Sequence, residues 1–159
     1  MRCPVRQTPL LLVGLVGATL GFAPAPVFRE NYRDPAFVLK QLRGTWAMPR
    51  YDRNGATMIS AGEAYTVKIE KDLWTFYRSQ NGGPLMKSSS YTLKLDPKTT
   101  PAEIDFVGSG TYRLLGVYEL KADKLKITFR ITTEMDKSRV KSLTKPDPGD
   151  YLLELERKP

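Results

Sequence analysis

The chain of 159 residues contains no histidine and a single cysteine, Cys3. Without histidine there is no Ser-His-Asp triad, no Cys-His dyad, no imidazole general base and no imidazole metal ligand. One cysteine leaves no intrachain disulfide, no Cys-x-x-Cys redox pair and no thiolate zinc site. No Walker, kinase, EF-hand or zinc signature occurs, and Gly108-Ser109-Gly110 lacks the strand-to-helix setting of a phosphate loop and reads as a turn. Internal repeats and low-complexity tracts are also missing. What is present suits one packed domain: 41% hydrophobic and 26% charged residues. Lys and Arg number 25 against 17 Asp and Glu, a formal charge of +8.

Residues 1–25 read as a secretory signal peptide. Met1 to Pro9 carries Arg2 and Arg6 and no acid, Leu10 to Phe22 is an unbroken apolar run, and the small residues Ala23 and Ala25 follow. At 13 residues the run reaches about 20 Å as a helix, short of the ~30 Å hydrocarbon core of a bilayer. Export to the periplasm or beyond is therefore expected. Gly21-Phe22-Ala23 and Ala23-Pro24-Ala25 both fit a small-x-small cleavage pattern, yet a proline follows each. An uncleaved signal anchor that tethers the chain to the membrane stays as the second option. Cleavage would discard Cys3, so the exported domain would rest on its core without disulfides. Arg2 and Arg6 would go with it, and the chain would remain basic.

The proline-rich stretch Pro24 to Tyr32 reads as extended chain, and a linker is placed at residues 26–34. The folded domain then occupies 35–159. Asp34 is a suitable helix N-cap and Pro35 a suitable first helical residue. Phe37, Val38, Leu39 and Leu42 supply a short apolar face that Gly44 stops. From there the period changes from helical to alternating. Tyr65, Val67 and Ile69 alternate with Thr66, Lys68 and Glu70, and Leu125, Ile127, Phe129 and Ile131 alternate with Lys126, Thr128, Arg130 and Thr132. Such runs have one apolar and one wet face, as in antiparallel sheets. They predict about eight strands, near Thr45, Tyr65, Leu73, Tyr91, Ile104, Leu115, Leu125 and Tyr151. The expected fold is all-β: an antiparallel up-and-down barrel of about eight strands behind one short helix, its closure removing exposed edges. A barrel of this strand number is either filled by side chains or just able to hold one small ligand. Lys137 to Lys145 has no clean period and reads as a basic loop, with an edge strand as the other option.

The set Leu42-Arg43-Gly44-Thr45-Trp46 resembles the entry to lipocalin-like (calycin) barrels. The stretch from Leu39 to Lys158 resembles more closely a domain family of unknown function abundant in planctomycete bacteria, whose members are exported. The shared phrases are Leu42–Trp46, Leu93–Pro97 with Ile104-Asp105, Leu115–Leu120 and Leu152–Arg157. The resemblance implies that Gly44, Trp46 and Arg157 close one end of the barrel, with the arginine packed over the indole. It carries no catalytic residue.

Other candidate residues come from composition. Tyr65, Tyr77, Tyr91, Tyr118 and Tyr151 fall on or beside apolar strand faces. Converging inward they would line a cup for a small apolar or amphipathic molecule; the plainer reading is barrel packing with hydroxyls at the rims. Lys137, Arg139, Lys141 and Lys145 form a basic cluster, either a solvated surface or a contact for an anionic envelope component. Nucleic acid is not expected, because export removes the access. Asp105, Glu119, Glu134 and Glu154 would make a hydrolase only if two of them converged in a cleft. No enzymatic activity, cofactor or metal is expected. The function read from the sequence is binding of a small ligand in the barrel mouth. The alternative is an interaction module with a solid core that docks on another protein or an anionic envelope polymer.

Overall fold

The Asp34 side chain accepts a hydrogen bond from the Ala36 amide at 3.0 Å, and Pro35 follows where a missing N–H is harmless, so α1 spans Pro35–Leu42. Val38 and Leu42, one turn apart, are its buried residues. Gly44 starts the first strand with φ near +125°, and a Cβ there would lie 3.0 Å from Arg157 Nη1. The backbone therefore favours glycine, and a side chain there would also have to push the Arg157 guanidinium aside by a few tenths of an ångström. The computed structural model describes residues 34–133, 135–136 and 138–159. The expected signal peptide, Cys3, the linker up to residue 33, Glu134 and Lys137 lie outside the described residues.

The strands are β1 (Gly44–Arg53), β2 (Ala56–Thr57), β3 (Glu63–Glu70), β4 (Leu73–Gln80), β5 (Met86–Asp96), β6 (Ala102–Val107), β7 (Tyr112–Lys121), β8 (Lys124–Thr133) and β9 (Tyr151–Arg157). Every pairing is antiparallel between sequential long strands, and β1 also pairs with β9. The result is a closed barrel of eight strands, with β2 a short return on the end of β1. Closure leaves none of the eight long strands as a free edge.

Successive strands run in opposite directions, so the barrel has two distinct poles. α1, the 71–72, 97–101 and 122–123 turns and Arg157 gather at one, the helical pole. The β1–β2 hairpin, the 81–85 turn and the 108–111 turn gather at the other, the open pole.

The interior is filled. Trp74 packs edge-on against Phe106 with ring centroids 5.1 Å apart, Phe106 leads to Phe129 at 5.8 Å, and Phe129 stacks on Tyr151 at 5.1 Å. Tyr151 continues to Tyr51, and Tyr51 to Tyr65, each at 6.0 Å. Aliphatic side chains such as Val67, Ile69, Leu93, Ile104, Ile127 and Leu153 close the gaps around this chain of rings. Gly116 on β7 shows how tight the packing is. A Cβ there would come within 2.6 Å of the Thr128 carbonyl and 2.8 Å of Phe129 Cβ.

The expected basic loop crosses the outside of the barrel. Its described residues 138–150 contain no strand, so the edge-strand option is set aside. Arg139 donates to the Gly116 carbonyl at 2.9 Å and pairs with Asp105 at 2.6 Å and Glu103 at 3.1 Å. Further on, Arg130 of β8 pairs with Asp150 at 2.6 Å and Asp147 at 3.4 Å. These bonds strap the segment over the outer faces of β6, β7 and β8, where Leu115, Val117 and Val140 are all buried. Those apolar residues on the wet side of an alternating strand are explained by the strap.

Candidate functional site

The helical pole is built around an indole. The β1–β9 register places Trp46 opposite Arg157. The guanidinium lies 4.2 Å from the centroid of the fully buried ring, close enough for a cation–π contact. Arg157 also donates to the Gln41 carbonyl at 2.6 Å and the Arg43 carbonyl at 2.7 Å, and it pairs with Asp123 at 3.1 Å. Trp46 Nε1 donates to the Leu42 carbonyl at 2.8 Å. One arginine thus holds the last turn of α1, whose final carbonyls lack helical partners, to the end of β9.

Beside this plug lies a cleft of about 500 Å³ lined by Val38, Gln41, Pro97, Ala102, Tyr118, Glu119, Leu120, Ala122 and Arg157. The Tyr118 phenol is pushed up to about 12, first by burial and then by the Asp96 carboxylate.

Three of the five candidate tyrosines, Tyr65, Tyr91 and Tyr151, gather around Tyr51 inside the open pole, each close enough to act on its phenol, and Tyr77 and Tyr118 lie elsewhere. Tyr65 and Tyr151 join the ring chain near the open pole, with the Tyr65 hydroxyl donating to Glu63 at 3.3 Å. Burial raises the Tyr65 pKa, and the Glu63 carboxylate adds to it. Tyr91 packs edge-on against Phe76 and Phe106. Tyr118 is at the opposite pole, in the helical cleft. Tyr77 is a correction: Trp74 and Phe76 face the core, so strand alternation turns Tyr77 outward, opposite Thr66.

The open pole carries a different signal. Among the described residues, six of the seven exposed large apolar side chains belong to it: Met58, Leu85, Met86, Tyr112, Ile131 and Met135. Met135 is 98% exposed, Met86 63% and Tyr112 61%. Two of them, Tyr112 and Ile131, line a shallow depression of about 430 Å³ together with Ser89, Ser90, Tyr91, Leu114 and the Gly108-Ser109-Gly110 turn. Arg53 lies over the Tyr151 ring at 5.0 Å, and Lys87 is exposed without an ion pair among the described residues. Sequence reasoning missed this rim. Its trace was visible as apolar residues where a turn should be polar, at Leu85-Met86 after Gly82-Gly83-Pro84 and at Met135.

The basic cluster is divided. Arg139 is a correction to the anion-contact expectation, since its guanidinium is already bound to two carboxylates and a carbonyl. Lys141 and Lys145 are exposed on the strap. Of the described candidate carboxylates, Glu119 and Glu154 line one surface pocket of about 290 Å³, but both are part-exposed and paired with cations there, and Asp105 lies elsewhere. Asp105 pairs with Arg139, Glu119 with Lys121 at 2.9 Å, and Glu154 with Arg50 at 3.3 Å and Lys126 at 3.4 Å. Among the described residues, no group of three or more His, Cys, Asp and Glu side chains is placed to hold a metal ion, and no helix is long and apolar enough to cross a membrane.

Comparison with protein-family models, with curated proteins and with solved structures finds no match.

Proposed function

We propose that the protein is a non-enzymatic, exported, lipocalin-like binding domain of the family it resembles, and that its open pole docks on an anionic lipid surface of the cell envelope. The observation that carries the reading is the ring of exposed methionine, leucine, isoleucine and tyrosine side chains above an interior already filled with its own rings. A filled barrel offers little room for enclosed cargo, whereas apolar groups on projecting turns enter a lipid interface readily. The basic balance of the chain, with Arg53 and Lys87 at that pole, supplies attraction to anionic headgroups. The expected signal peptide places the domain where such a surface is found.

Vesicle sedimentation tests the proposal. The protein should pellet with phosphatidylglycerol-containing vesicles and much less with phosphatidylcholine alone, and half-molar salt should weaken the binding. The combined Met86→Ser, Tyr112→Ser and Ile131→Ser variant should stay in the supernatant. Undiminished pelleting of that variant, or none by the parent chain, overturns the reading.

A second reading rests on the 430 Å³ depression, a volume within the usual range for small-molecule sites. Its apolar wall of Tyr91, Leu114 and Ile131 faces the Ser89 and Ser90 edge, which suits a small amphipathic ligand. A molecule that co-purifies with the protein, seen by native mass spectrometry and lost with Ile131→Ser, would favour this use of the same pole.

A further inference from the structure

At the helical pole, Val38 and Gln41 of α1 form one wall of the 500 Å³ cleft, and the ends of β5–β6 and β7–β8 form the other. Its walls are apolar at Val38, Pro97, Ala102, Leu120 and Ala122. One polar atom at its wall has no partner: Gln41 Oε1 is buried without a hydrogen bond. The Tyr118 hydroxyl makes no hydrogen bond among the described residues either, and it keeps a small solvent-accessible surface on a residue otherwise 5% exposed. Buried polar atoms of native proteins are nearly always satisfied, so an orphaned amide oxygen beside an apolar cleft needs an explanation.

The charge around the cleft is selective. Among the described residues Arg157 is the only cation lining the cleft, and it is already engaged by Asp123 and by the Gln41 and Arg43 carbonyls. Asp96 lies near enough to Tyr118 to act on its phenol, and Glu119 is part of the lining. A carboxylate or phosphate entering here would meet acids and no free cation. A hydrogen-bond donor would meet the Gln41 amide oxygen, which lacks one, and the Tyr118 hydroxyl, which can accept one.

We propose that the cleft between α1 and the β5–β6 and β7–β8 turns is a second binding site, specific for a small apolar molecule with one donor headgroup, a hydroxyl or a protonated amine, held by Gln41 Oε1 and the Tyr118 hydroxyl. The site is on the opposite pole from the apolar rim, so it does not depend on the docking proposal, and both can be occupied at once.

Titration of the full chain with benzyl alcohol, benzylamine, toluene and benzoate, followed by ¹H–¹⁵N NMR, tests it. Benzyl alcohol and benzylamine should give saturable shifts at the Gln41 side-chain amide and at Tyr118, Leu120 and Ala122, and should bind about tenfold more tightly than toluene or benzoate, since a site with unpaired polar groups rejects analogues that leave them unpaired. Weakening of benzylamine alone by salt would assign the natural headgroup to the amine class; equal behaviour of the two would assign it to the neutral class. Tyr118→Phe and Gln41→Leu should each erase most of the preference over toluene. Gln41 is only partly buried and its side chain makes no hydrogen bond among the described residues, so its variant carries the test if Tyr118→Phe does not fold. No saturable shift at this pole, equal affinity for toluene, or an unchanged preference in the Gln41→Leu variant overturns the proposal.

Discussion

At the helical pole Trp46 is fully buried under Arg157, and Leu73 is the one large apolar side chain left exposed there among the described residues. At the open pole, six such side chains are exposed and the rings below them are only partly covered. Both ends are made by the same eight strands, so the sheet does not account for the difference. The helix and one arginine do. Gln41, Arg43, Asp123 and Arg157 share a single set of hydrogen bonds that holds α1 across one end. Among the described residues the other end has no equivalent cover. One pole therefore concentrates stabilising contacts, and the other keeps apolar area available to a partner.

Substitutions of graded size test this division. Trp46→Ala should have the largest effect, about 3–5 kcal/mol of unfolding free energy, because it removes a fully buried ring and leaves a cavity beneath Arg157. Urea denaturation measures it, and an unchanged midpoint would mean that the indole does not organise that pole.

Next comes an alkaline effect at Tyr118. Its phenol titrates near pH 10 in the unfolded chain and is pushed up to about 12 in the fold. Between those values the unfolded state binds fewer protons, so stability falls as pH rises. The loss attributable to this group should reach about 3 kcal/mol at most, from a shift of two pH units. Urea melts at pH 9 and pH 12 should therefore show a smaller decline for Tyr118→Phe than for the parent chain.

The strap gives a third, intermediate case. Arg139→Ala should cost about 1–3 kcal/mol, since it strands two carboxylates and a carbonyl. Lys141→Ala, two residues away and exposed, should leave the midpoint where it is. Equal effects of the two would remove the strap's structural role. The smallest change belongs to the open pole. Met86→Ser and Tyr112→Ser should each shift stability by less than about 0.5 kcal/mol by thermal melting. A larger loss would mean that the rim contributes to the core.

Much of the fold was legible because alternation is a strong signal when one strand face is wet. Tyr65-Val67-Ile69 and Leu125-Ile127-Phe129 face the core as their period requires. Tyr77 escaped because a tyrosine next to an apolar run looks the same on either face, and only the position of Phe76 settles the parity. Arg139 escaped for another reason. A cationic cluster in sequence says nothing of carboxylates that arrive from Glu103 and Asp105, more than thirty residues earlier. The helical cleft is likewise a product of four separate segments; Tyr118 and Arg157 stand out in the chain, but nothing local to them places either beside Gln41.

Local order alone therefore specified the short capped helix, the eight strands, most of their inward faces and the turns between them, since each depends on neighbours a few positions away. Which pole would be sealed, which basic residues would be neutralised and where polar atoms would be left without partners depended on long-range closure. Pairing β1 with β9 brings Arg157 over Trp46, and no short-range pattern contains that encounter.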